Sequence, residues 1–419
     1  MDMIRIEGGR PLSGRVVIGG SKNAALPALA AALLTDEPIR LANVPAVVDI
    51  STMVNLLERF GASWNRDQAG GLTVQVGRIA GTEAPYDLVR RMRASVLVLG
   101  PLLARAGRAR VSLPGGCAIG ERPIDMHLGA LRKMGGTIAI EHGYVSASCG
   151  RLTGADITFS GKTVTGTENL MMASCLARGR TVLRNCAREP EVVDLAELLR
   201  AMGARVEGAG KDVIEIEGVD RLHGAEHRVI ADRIEAGTYI VAAALAGEEV
   251  TVDCCEPAHL GALLEKVGES GSEITTLPGA VVVRRPGGRL RSCDLATAPH
   301  PGFPTDMQAQ FMAMMTQAEG RAAIVESIFE HRFMHAQELR RMGADIRIEG
   351  NTARVFGPTP LSGADVTASD LRASACLVVA GLVASGPTVV HRIYHLDRGY
   401  ERIEEKLRGL GAAVEREKE

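Results

Sequence analysis

The chain has 419 residues, more than one hydrophobic core usually serves, so its length predicts two domains of roughly 200 residues each. With 48 lysines and arginines against 50 aspartates and glutamates, it carries no large surplus of either charge. This balance argues against a partner that is a nucleic acid or a membrane surface, and any anionic ligand must be bound by a local group of cations.

Cysteine usage and the apolar runs favour a soluble, cytoplasmic protein. Eight cysteines are scattered without the spacing of a disulfide framework, so we expect free thiols in a reducing compartment. The first residues have neither the basic nor the apolar region that directs export. The longest apolar runs, AALPALAAALL and ACLVVAGLVA, are shorter than the roughly 18 residues that a membrane span needs.

One pattern recurs six times along the chain. In each copy a strongly apolar helix leads to a strand, and a second helix follows that ends at a glycine, as in LLERFGA at Gly61. Strands of alternating polarity come next. The apolar helices begin about 70 residues apart, which is the period of a repeat. Their predicted starts lie near Lys22, Arg93, Glu168, Glu235, Asp306 and Arg372.

The last copy lacks one strand, and the N-terminal segment MIRIEGGRPLSGR resembles the missing element. We therefore expect a ring of repeats divided into two domains of three copies each. The first domain would span residues 22–230, including Cys117, and the second would span residues 231–419 and 1–21. The alternative is an open repeat scaffold that binds proteins along a concave face.

Polar and charged residues cluster where the apolar helices begin. Ordinary capping explains part of this cluster, because Ser21, Thr167 and Thr305 are suitable N-cap residues. A cation at a helix N-terminus is unfavourable unless an anion lies beside it, and Lys22, Arg93 and Arg372 are such cations. If the N-termini face one cleft, the helix dipoles and the basic side chains form a phosphate site.

The stretch SLPGGCAIGERPIDMH contains Cys117, which has two interpretations. Most cysteines are small buried apolar residues. The glycines around this one predict a loop, and Arg122 could lower the pKa of the thiol, which would make it a proton donor or a nucleophile.

Dinucleotide-binding, P-loop and zincin motifs are absent. The histidine pairs in HRFMH and HRIYH lack a third ligand, so we expect neither a metal nor a cofactor. The charged residues beside these pairs, Arg332 and Asp397–Arg398, are better candidates for a functional role.

Four stretches carry a family resemblance: GGSKNAALPALAAALL, SLPGGCAIGERPID, APHPGFPTDMQAQF and IYHLDRGYERIEEKL. In them the chain resembles the UDP-N-acetylglucosamine 1-carboxyvinyltransferases, an EPSP synthase-like family, from end to end. The stretch VTGTENLMMAS matches less closely. The resemblance implies an α/β fold, an inside-out α/β barrel with two domains, each of three repeated βαβαββ-type units around buried helices.

The resemblance also implies an activity. Enolpyruvyl would pass from phosphoenolpyruvate to the 3'-hydroxyl of UDP-N-acetylglucosamine by addition and elimination, with release of phosphate, in the first committed step of peptidoglycan synthesis. These two small molecules would be the partners, with no cofactor, nucleic acid or membrane. The family implies Cys117 as general acid, open to alkylation by fosfomycin, and Asp306 fits the general base.

By the same resemblance, phosphoenolpyruvate would be held by Lys22, Arg122 and Arg398, so that Lys22 and Arg398 join the catalytic set. Further substrate-binding residues would be Asn23, Arg93, Pro123, Ile124, Asp125, Met126, Lys162, Thr163, Val164, Thr165, Asp306, Ile328, Arg332, Asp370 and Arg372. The alternatives are the related transferase that accepts shikimate 3-phosphate, and a non-catalytic protein that senses UDP-sugars.

Overall fold

The computed structural model describes residues 2–68, 70–113, 124–285 and 287–418. They form two compact units. One contains residues 2–19 and 231–418, and the other contains residues 20–113 and 124–230. None of the helices in these residues combines the length and the apolar character that crossing a membrane requires.

The strands are short and are numbered in chain order. They are β1 (Asp2–Glu7), β2 (Leu12–Val17), β3 (Ile39–Ala42), β4 (Ser63–Arg66), β5 (Leu72–Gln75), β6 (Glu83–Ala84), β7 (Arg108–Ser112), β8 (Thr137–Glu141), β9 (Tyr144–Ser148), β10 (Asp156–Thr158), β11 (Arg180–Arg184), β12 (Arg205–Glu207), β13 (Val213–Glu217), β14 (Glu226–Arg228), β15 (Gly247–Asp253), β16 (Glu273–Leu277), β17 (Ala280–Arg284), β18 (Leu295–Ala296), β19 (Gly320–Val325), β20 (Asp345–Glu349), β21 (Thr352–Gly357), β22 (Asp365–Thr367), β23 (Pro387–His391) and β24 (Ala413–Lys418).

The helices are numbered in the same way. They are α1 (Lys22–Ala31), α2 (Val48–Arg59), α3 (Tyr86–Val89), α4 (Leu99–Ala106), α5 (Asp125–Lys133), α6 (Val164–Cys175), α7 (Pro190–Ala201), α8 (Arg233–Ala246), α9 (Gly261–Glu269), α10 (Gln308–Met315), α11 (His335–Arg341), α12 (Leu371–Gly381) and α13 (Ile403–Gly409). Short 3₁₀ segments occur at Ala32–Leu34, Arg93–Val98, Pro257–Leu260, Thr305–Met307 and Ile393–Arg398.

Within the described ranges the strands form six four-stranded sheets, all with one topology. In the sheet β6-β7-β9-β8, for example, β6 is parallel to β7, and the remaining neighbours are antiparallel. The chain connects these elements as β6, α4, β7, α5, β8 and β9, which is a βαβαββ unit. The predicted α/β fold of repeated units is confirmed.

Each compact unit is closed by pairing between its distant ends. In the unit of residues 20–230, β14 pairs in parallel with β3, with His227 opposite Leu41. In the other unit, β1 lies between β23 and β24, with Ile6 opposite Val414, and β2 pairs in parallel with β15. The same sheet order is thereby completed in every copy.

Three strongly apolar helices occupy the core of each unit. In the unit of residues 20–230 these are α1, α4 and α6, and in the other they are α8, α10 and α12, which pack against one another. Helices that are apolar on all sides must be buried. Small residues allow the core helices to pack closely. For example, α4 approaches α6 at Gly100, where a Cβ would lie only 2.2 Å from Asn169 Oδ1.

Two of the predicted N-caps are wrong. Ser21 caps α1, as expected, by accepting a hydrogen bond from the Ala24 amide. The helix α6, however, begins at Val164, one turn before the predicted start near Glu168, and Thr163 caps it instead of Thr167. Thr163 can do so because residue 166 is a glycine. A Cβ at this position would lie only 2.7 Å from the Thr163 hydroxyl oxygen.

The third candidate cap, Thr305, is the first residue of a 3₁₀ turn that leads into α10, and Pro304 occupies the cap position. Its hydroxyl has polar side-chain partners instead. Arg93 likewise starts a 3₁₀ segment, and the α-helix follows only at Leu99.

Candidate active site

The predicted site residues are spread over both compact units. Cys117, Arg122 and Pro123, together with the glycines of that stretch, lie outside the described residues. In the unit of residues 20–230 the described candidates are Lys22, Asn23, Arg93, Ile124, Asp125, Met126, Lys162, Thr163, Val164 and Thr165. In the other unit they are Asp306, Ile328, Arg332, Asp370, Arg372 and Arg398.

Lys22 is buried at the start of α1 and forms an ion pair with Asp49. The Lys22 ammonium nitrogen lies 3.0 Å from Asp49 Oδ2, and the two side chains are 10% and 4% exposed. Asp49 is in the first turn of α2, where the helix dipole also stabilises a carboxylate. The protein itself therefore supplies a negative charge beside Lys22, through Asp49. The pair fixes the position of the Lys22 cation at the start of α1.

Asn23 and Arg93 begin neighbouring core elements of the same unit. Asn23 is the second residue of α1, and Arg93 opens the 3₁₀ segment before α4. Both side chains are half-buried. The segments α1 and Arg93–Val98 are in contact, so these two polar residues belong to one part of the unit.

The residues from Lys162 to Thr165 lead into the buried helix α6. Lys162 donates hydrogen bonds to the Cys186 carbonyl at 2.9 Å and to Asp212 Oδ1 at 2.5 Å. Thr163 caps the helix and Val164 is its first residue. These contacts hold the segment in one conformation at the positive end of the helix dipole.

His127, which the sequence analysis did not single out, holds Thr165 in place. Asn169 accepts the Gly100 amide at 2.7 Å through its oxygen, so its NH₂ group faces His127 Nδ1 at 3.2 Å. That nitrogen must then be the acceptor, which places the ring proton on Nε2, 3.4 Å from the Thr165 hydroxyl. The three side chains link α5 to α6.

Burial lowers the pKa of His127 to about 4, against a weaker opposing effect of Asp125. The unfolded chain, with a histidine pKa near 6.5, binds the extra proton first as the pH falls from 6.5 towards 4. Stability should therefore fall over that interval, and the His127 contribution between pH 7 and pH 5 is about 2 kcal/mol.

Urea unfolding at the two pH values tests this expectation. A His127→Gln variant should lose less stability on acidification than the wild type, while His331→Gln, at an exposed histidine, serves as the control. Equal pH dependence in the wild type and His127→Gln would contradict the buried neutral ring.

The remaining candidates of this unit lie where α5 begins. Asp125 is the first residue of that helix and is exposed, whereas Ile124 and Met126 are half-buried and pack against the core. Their position directly before His127 connects them to the Thr165 contact described above.

In the other unit, Asp306 is held by two arginines. Arg332 Nη2 donates to Asp306 Oδ1 at 2.6 Å, and Arg372 Nη2 donates to Asp306 Oδ2 at 2.8 Å. The arginine side chains are almost completely buried, while that of Asp306 is 27% exposed. A carboxylate is thus fixed by buried cations and remains accessible from one side.

The electrostatic consequence is a strongly acidic carboxyl group. Burial alone would raise the pKa of Asp306, but the guanidinium groups of Arg372 and Arg332 outweigh it and hold this pKa well below its usual range. Asp306 is therefore ionised at neutral pH. The anion that Arg372 requires at the start of α12 is this internal carboxylate.

Glu326, also missed from the sequence, supports the same region. Its carboxylate accepts hydrogen bonds from the hydroxyls of Thr297 and Thr305 and from the amides of Ile328 and Phe329. Thr305 in turn accepts from Arg332 Nη1 at 2.8 Å. The half-exposed Ile328 is thereby held on the same hydrogen-bonded segment that orients Arg332.

Asp370 and Arg398 lie near the start of α12. Asp370 caps this helix by accepting the amides of Arg372 at 2.9 Å and Ala373 at 3.1 Å. Arg398 is the last residue of the 3₁₀ segment Ile393–Arg398, which packs against α12. In the part of the chain that the structure describes, no three histidine, cysteine, aspartate or glutamate side chains are grouped to hold a metal ion.

Comparison with known proteins gives full-length matches. The sequence profile of the family described as EPSP synthase (3-phosphoshikimate 1-carboxyvinyltransferase) matches residues 6–407. A UDP-N-acetylglucosamine 1-carboxyvinyltransferase of Koribacter versatilis (strain Ellin345) is 58% identical over 419 residues, covering 99% of this chain and 96% of the relative. The enzyme of that name from Anaeromyxobacter sp. (strain Fw109-5) is 58% identical over 422 residues, covering 100% of both chains.

Two solved structures share the fold. The enolpyruvyl transferase NikO from Streptomyces tendae superimposes with a TM-score of 0.90 at 29% identity, covering 99% of this chain and 98% of that one. An EPSP synthase from Acinetobacter baumannii gives a TM-score of 0.78 at 20% identity, covering 100% of both chains. The second likeness concerns the fold alone.

Proposed function

The chain belongs to the EPSP synthase family of carboxyvinyltransferases, and from that premise we infer that it transfers the enolpyruvyl group of phosphoenolpyruvate to UDP-N-acetylglucosamine. The observation that carries this conclusion is 58% identity along the whole chain to relatives named for that reaction. The product enters peptidoglycan synthesis.

Both substrates are anions, and the fixed cations of the two units suit them. We propose that Lys22, Arg122 and Arg398 hold the phosphate and carboxylate of phosphoenolpyruvate. Asp49 supports this role because its ion pair keeps the Lys22 ammonium in one position. A preorganised cation loses little freedom when the ligand binds.

The UDP-sugar would be bound by a second group of residues. Described members of this group are fixed by their neighbours, as Thr165 is by His127 and as the Ile328 segment is by Glu326. The complete proposed set is Asn23, Arg93, Arg122, Pro123, Ile124, Asp125, Met126, Lys162, Thr163, Val164, Thr165, Asp306, Ile328, Arg332, Asp370 and Arg372.

The reaction needs an acid and a base. In the addition step the sugar hydroxyl bonds to C2 of phosphoenolpyruvate, its proton passes to a base, and the C3 methylene takes a proton from an acid. Elimination then breaks the C2–O bond to phosphate and removes one C3 proton, which forms the vinyl ether. We assign Cys117 as the acid and Asp306 as the base.

The state of Asp306 supports this assignment. Its low pKa keeps the carboxylate free of a proton at neutral pH, and its accessible side can meet a hydroxyl. A low pKa also makes the carboxylate a weak base. The proton transfer to it becomes favourable once the hydroxyl oxygen has begun to bond to C2, because the hydroxyl proton is then much more acidic.

Phosphate release from the purified chain tests the function. The chain is given phosphoenolpyruvate with UDP-N-acetylglucosamine or with shikimate 3-phosphate, each with and without fosfomycin. Release with the UDP-sugar alone, abolished by fosfomycin, is the expected result. Release with shikimate 3-phosphate would identify the chain as the related transferase that accepts that substrate. No release with either acceptor would favour a non-catalytic protein that senses UDP-sugars.

A Cys117→Asp variant tests the acid directly. A carboxyl group can donate a proton but is a poor nucleophile towards an epoxide, so we expect appreciable turnover together with resistance to fosfomycin. The measurement is phosphate release after preincubation with the inhibitor, with Cys254→Ser, at an exposed thiol, as the control. Unchanged sensitivity of Cys117→Asp would contradict the assignment.

We also propose that the enzyme acts in the cytoplasm, where phosphoenolpyruvate and UDP-sugars are available. None of the described cysteines forms a disulfide, which is consistent with that compartment. Its partners in this proposal are the two small-molecule substrates, without a nucleic acid, a membrane or a cofactor.

A further inference from the structure

Tyr400 is buried beside the Asp306–Arg372 pair and is not itself one of the predicted substrate-binding residues. Only 2% of the residue is exposed. Its hydroxyl oxygen lies 3.3 Å from Arg372 Nη1, 2.8 Å from Thr238 Oγ1 and 3.2 Å from Gln310 Nε2. A buried hydroxyl whose hydrogen bonds are all satisfied holds its partners in one arrangement.

The direction of each hydrogen bond follows from the neighbours. The Thr238 hydroxyl donates to the Ile234 carbonyl at 2.8 Å, so Thr238 must accept the proton of Tyr400. The Tyr400 oxygen is then left to accept from the Arg372 guanidinium and from the Gln310 amide. Tyr400 therefore presents a lone pair to the arginine that holds Asp306.

The guanidinium of Arg372 is consequently held at two points. Its Nη2 donates to Asp306 and its Nη1 donates to Tyr400, and these two nitrogens lie on one rigid plane. Arg332 meets the other oxygen of Asp306 and is itself bonded to Thr305. Without Tyr400, Arg372 would retain the ion pair but could rotate about it.

Tyr400 also connects the stretch of chain around Arg398 to the same arginine. It follows Arg398 by two residues, and its amide donates to the Leu396 carbonyl at 3.0 Å. Gly399 allows this segment to approach α12 closely, because a Cβ there would lie 2.7 Å from Leu371 Cδ2. One hydroxyl thus connects the Ile393–Arg398 segment with the start of α12.

We propose that Tyr400 is a positioning residue for the reaction: by holding the Arg372 guanidinium, it fixes the orientation of the Asp306 carboxylate towards the acceptor hydroxyl. This role rests on the proposed function, in which Asp306 takes the proton of that hydroxyl. Tyr400 itself touches neither substrate.

A double-mutant cycle on turnover tests the proposal. Tyr400→Phe removes only the hydroxyl and should lower kcat about tenfold, the effect of one hydrogen bond to a charged group, with little change in KM. Arg372→Lys removes the planar two-point contact and should lower kcat more. The double variant should match Arg372→Lys within about twofold, since the hydroxyl acts through that arginine.

The matched control is Tyr394→Phe, the same substitution in the same segment at a side chain that is 49% exposed. It should leave kcat unchanged and should be additive with Arg372→Lys. Thr238→Val, which removes the acceptor of the Tyr400 proton, is the second probe and should lower kcat in the same direction. Thermal unfolding of every variant separates a positioning effect from lost folding.

The outcomes are distinguishable. Additive losses in the cycle, or a Tyr400→Phe enzyme with wild-type kcat, overturn the positioning role while the proposed function stands. If Tyr400→Phe is unfolded at the assay temperature, Thr238→Val decides the question in the same cycle. A wild-type chain that releases no phosphate from phosphoenolpyruvate and UDP-N-acetylglucosamine overturns the function and this inference together.

Discussion

Replacing Asp306 with asparagine is expected to lower kcat about 10²- to 10⁴-fold, the range associated with loss of a general base. The amide cannot accept a proton. It also presents an NH₂ group to one of the two arginines, because each carboxylate oxygen now accepts from its own guanidinium. We therefore expect some loss of stability in addition to the loss of turnover.

The two effects can be separated by a control in the same unit. Asp253 also accepts two hydrogen bonds from an arginine, but this arginine, Arg15, has a side chain that is 66% exposed. Asp253→Asn should change neither phosphate release nor the KM of either substrate. An Asp306→Asn enzyme that is folded and retains kcat within about tenfold of the wild type would show that another group is the base.

The pH dependence of turnover gives an independent check on Asp306. In the proposed mechanism Asp306 acts in its ionised form, which is lost only as the pH falls through the pKa of the folded state, and the two arginines hold that pKa well below the usual range. We thus expect no loss of kcat/KM from Asp306 on acidification from pH 7 to pH 5. Arg372→Lys weakens the contact that holds the Asp306 carboxylate, so the loss of kcat/KM on acidification should begin at a higher pH in this variant.

The repeated architecture could be predicted because it depends on short sequence patterns. Apolar helices, C-terminal glycines and alternating strands each have a signal within a few turns, and every copy repeats them. The signal failed at two of the predicted N-caps, and at one of them two threonines compete. Thr163 and Thr167 are chemically equal as caps, and the choice between them depends on Gly166 and on the packing of α6.

The partners of the site residues could not be predicted in the same way. Lys22 and Asp49 are 27 residues apart, and Asp306 meets Arg332 and Arg372 at separations of 26 and 66 residues. No helical or strand period links such positions. The sequence therefore indicates the charged residues at the helix starts, but it does not indicate which anion each cation meets. The fold supplies that information by bringing the starts of different repeats together within a unit.

Replacing Asp49 alone with leucine is expected to destabilise the unit of residues 20–230 by about 3–5 kcal/mol, because it leaves the Lys22 ammonium buried without its carboxylate. The double variant Lys22→Met with Asp49→Leu should recover most of this loss, since an apolar pair of similar volume fills the same space without a charge. Urea unfolding followed by circular dichroism measures both differences. Glu226→Gln, which breaks an ion pair of this unit with Arg40 at the surface, should cost about 1 kcal/mol or less.

The double variant then separates what Lys22 does for the fold from what it does for the reaction. If the ammonium is there to bind phosphoenolpyruvate, the restored fold should still show no saturable turnover, because methionine offers no charge to the phosphate. A double variant with wild-type stability and wild-type KM for phosphoenolpyruvate would assign Lys22 to the core alone. A buried ion pair is rarely the most stable way to fill a core, so loss of turnover in a double variant of restored stability is the result we expect.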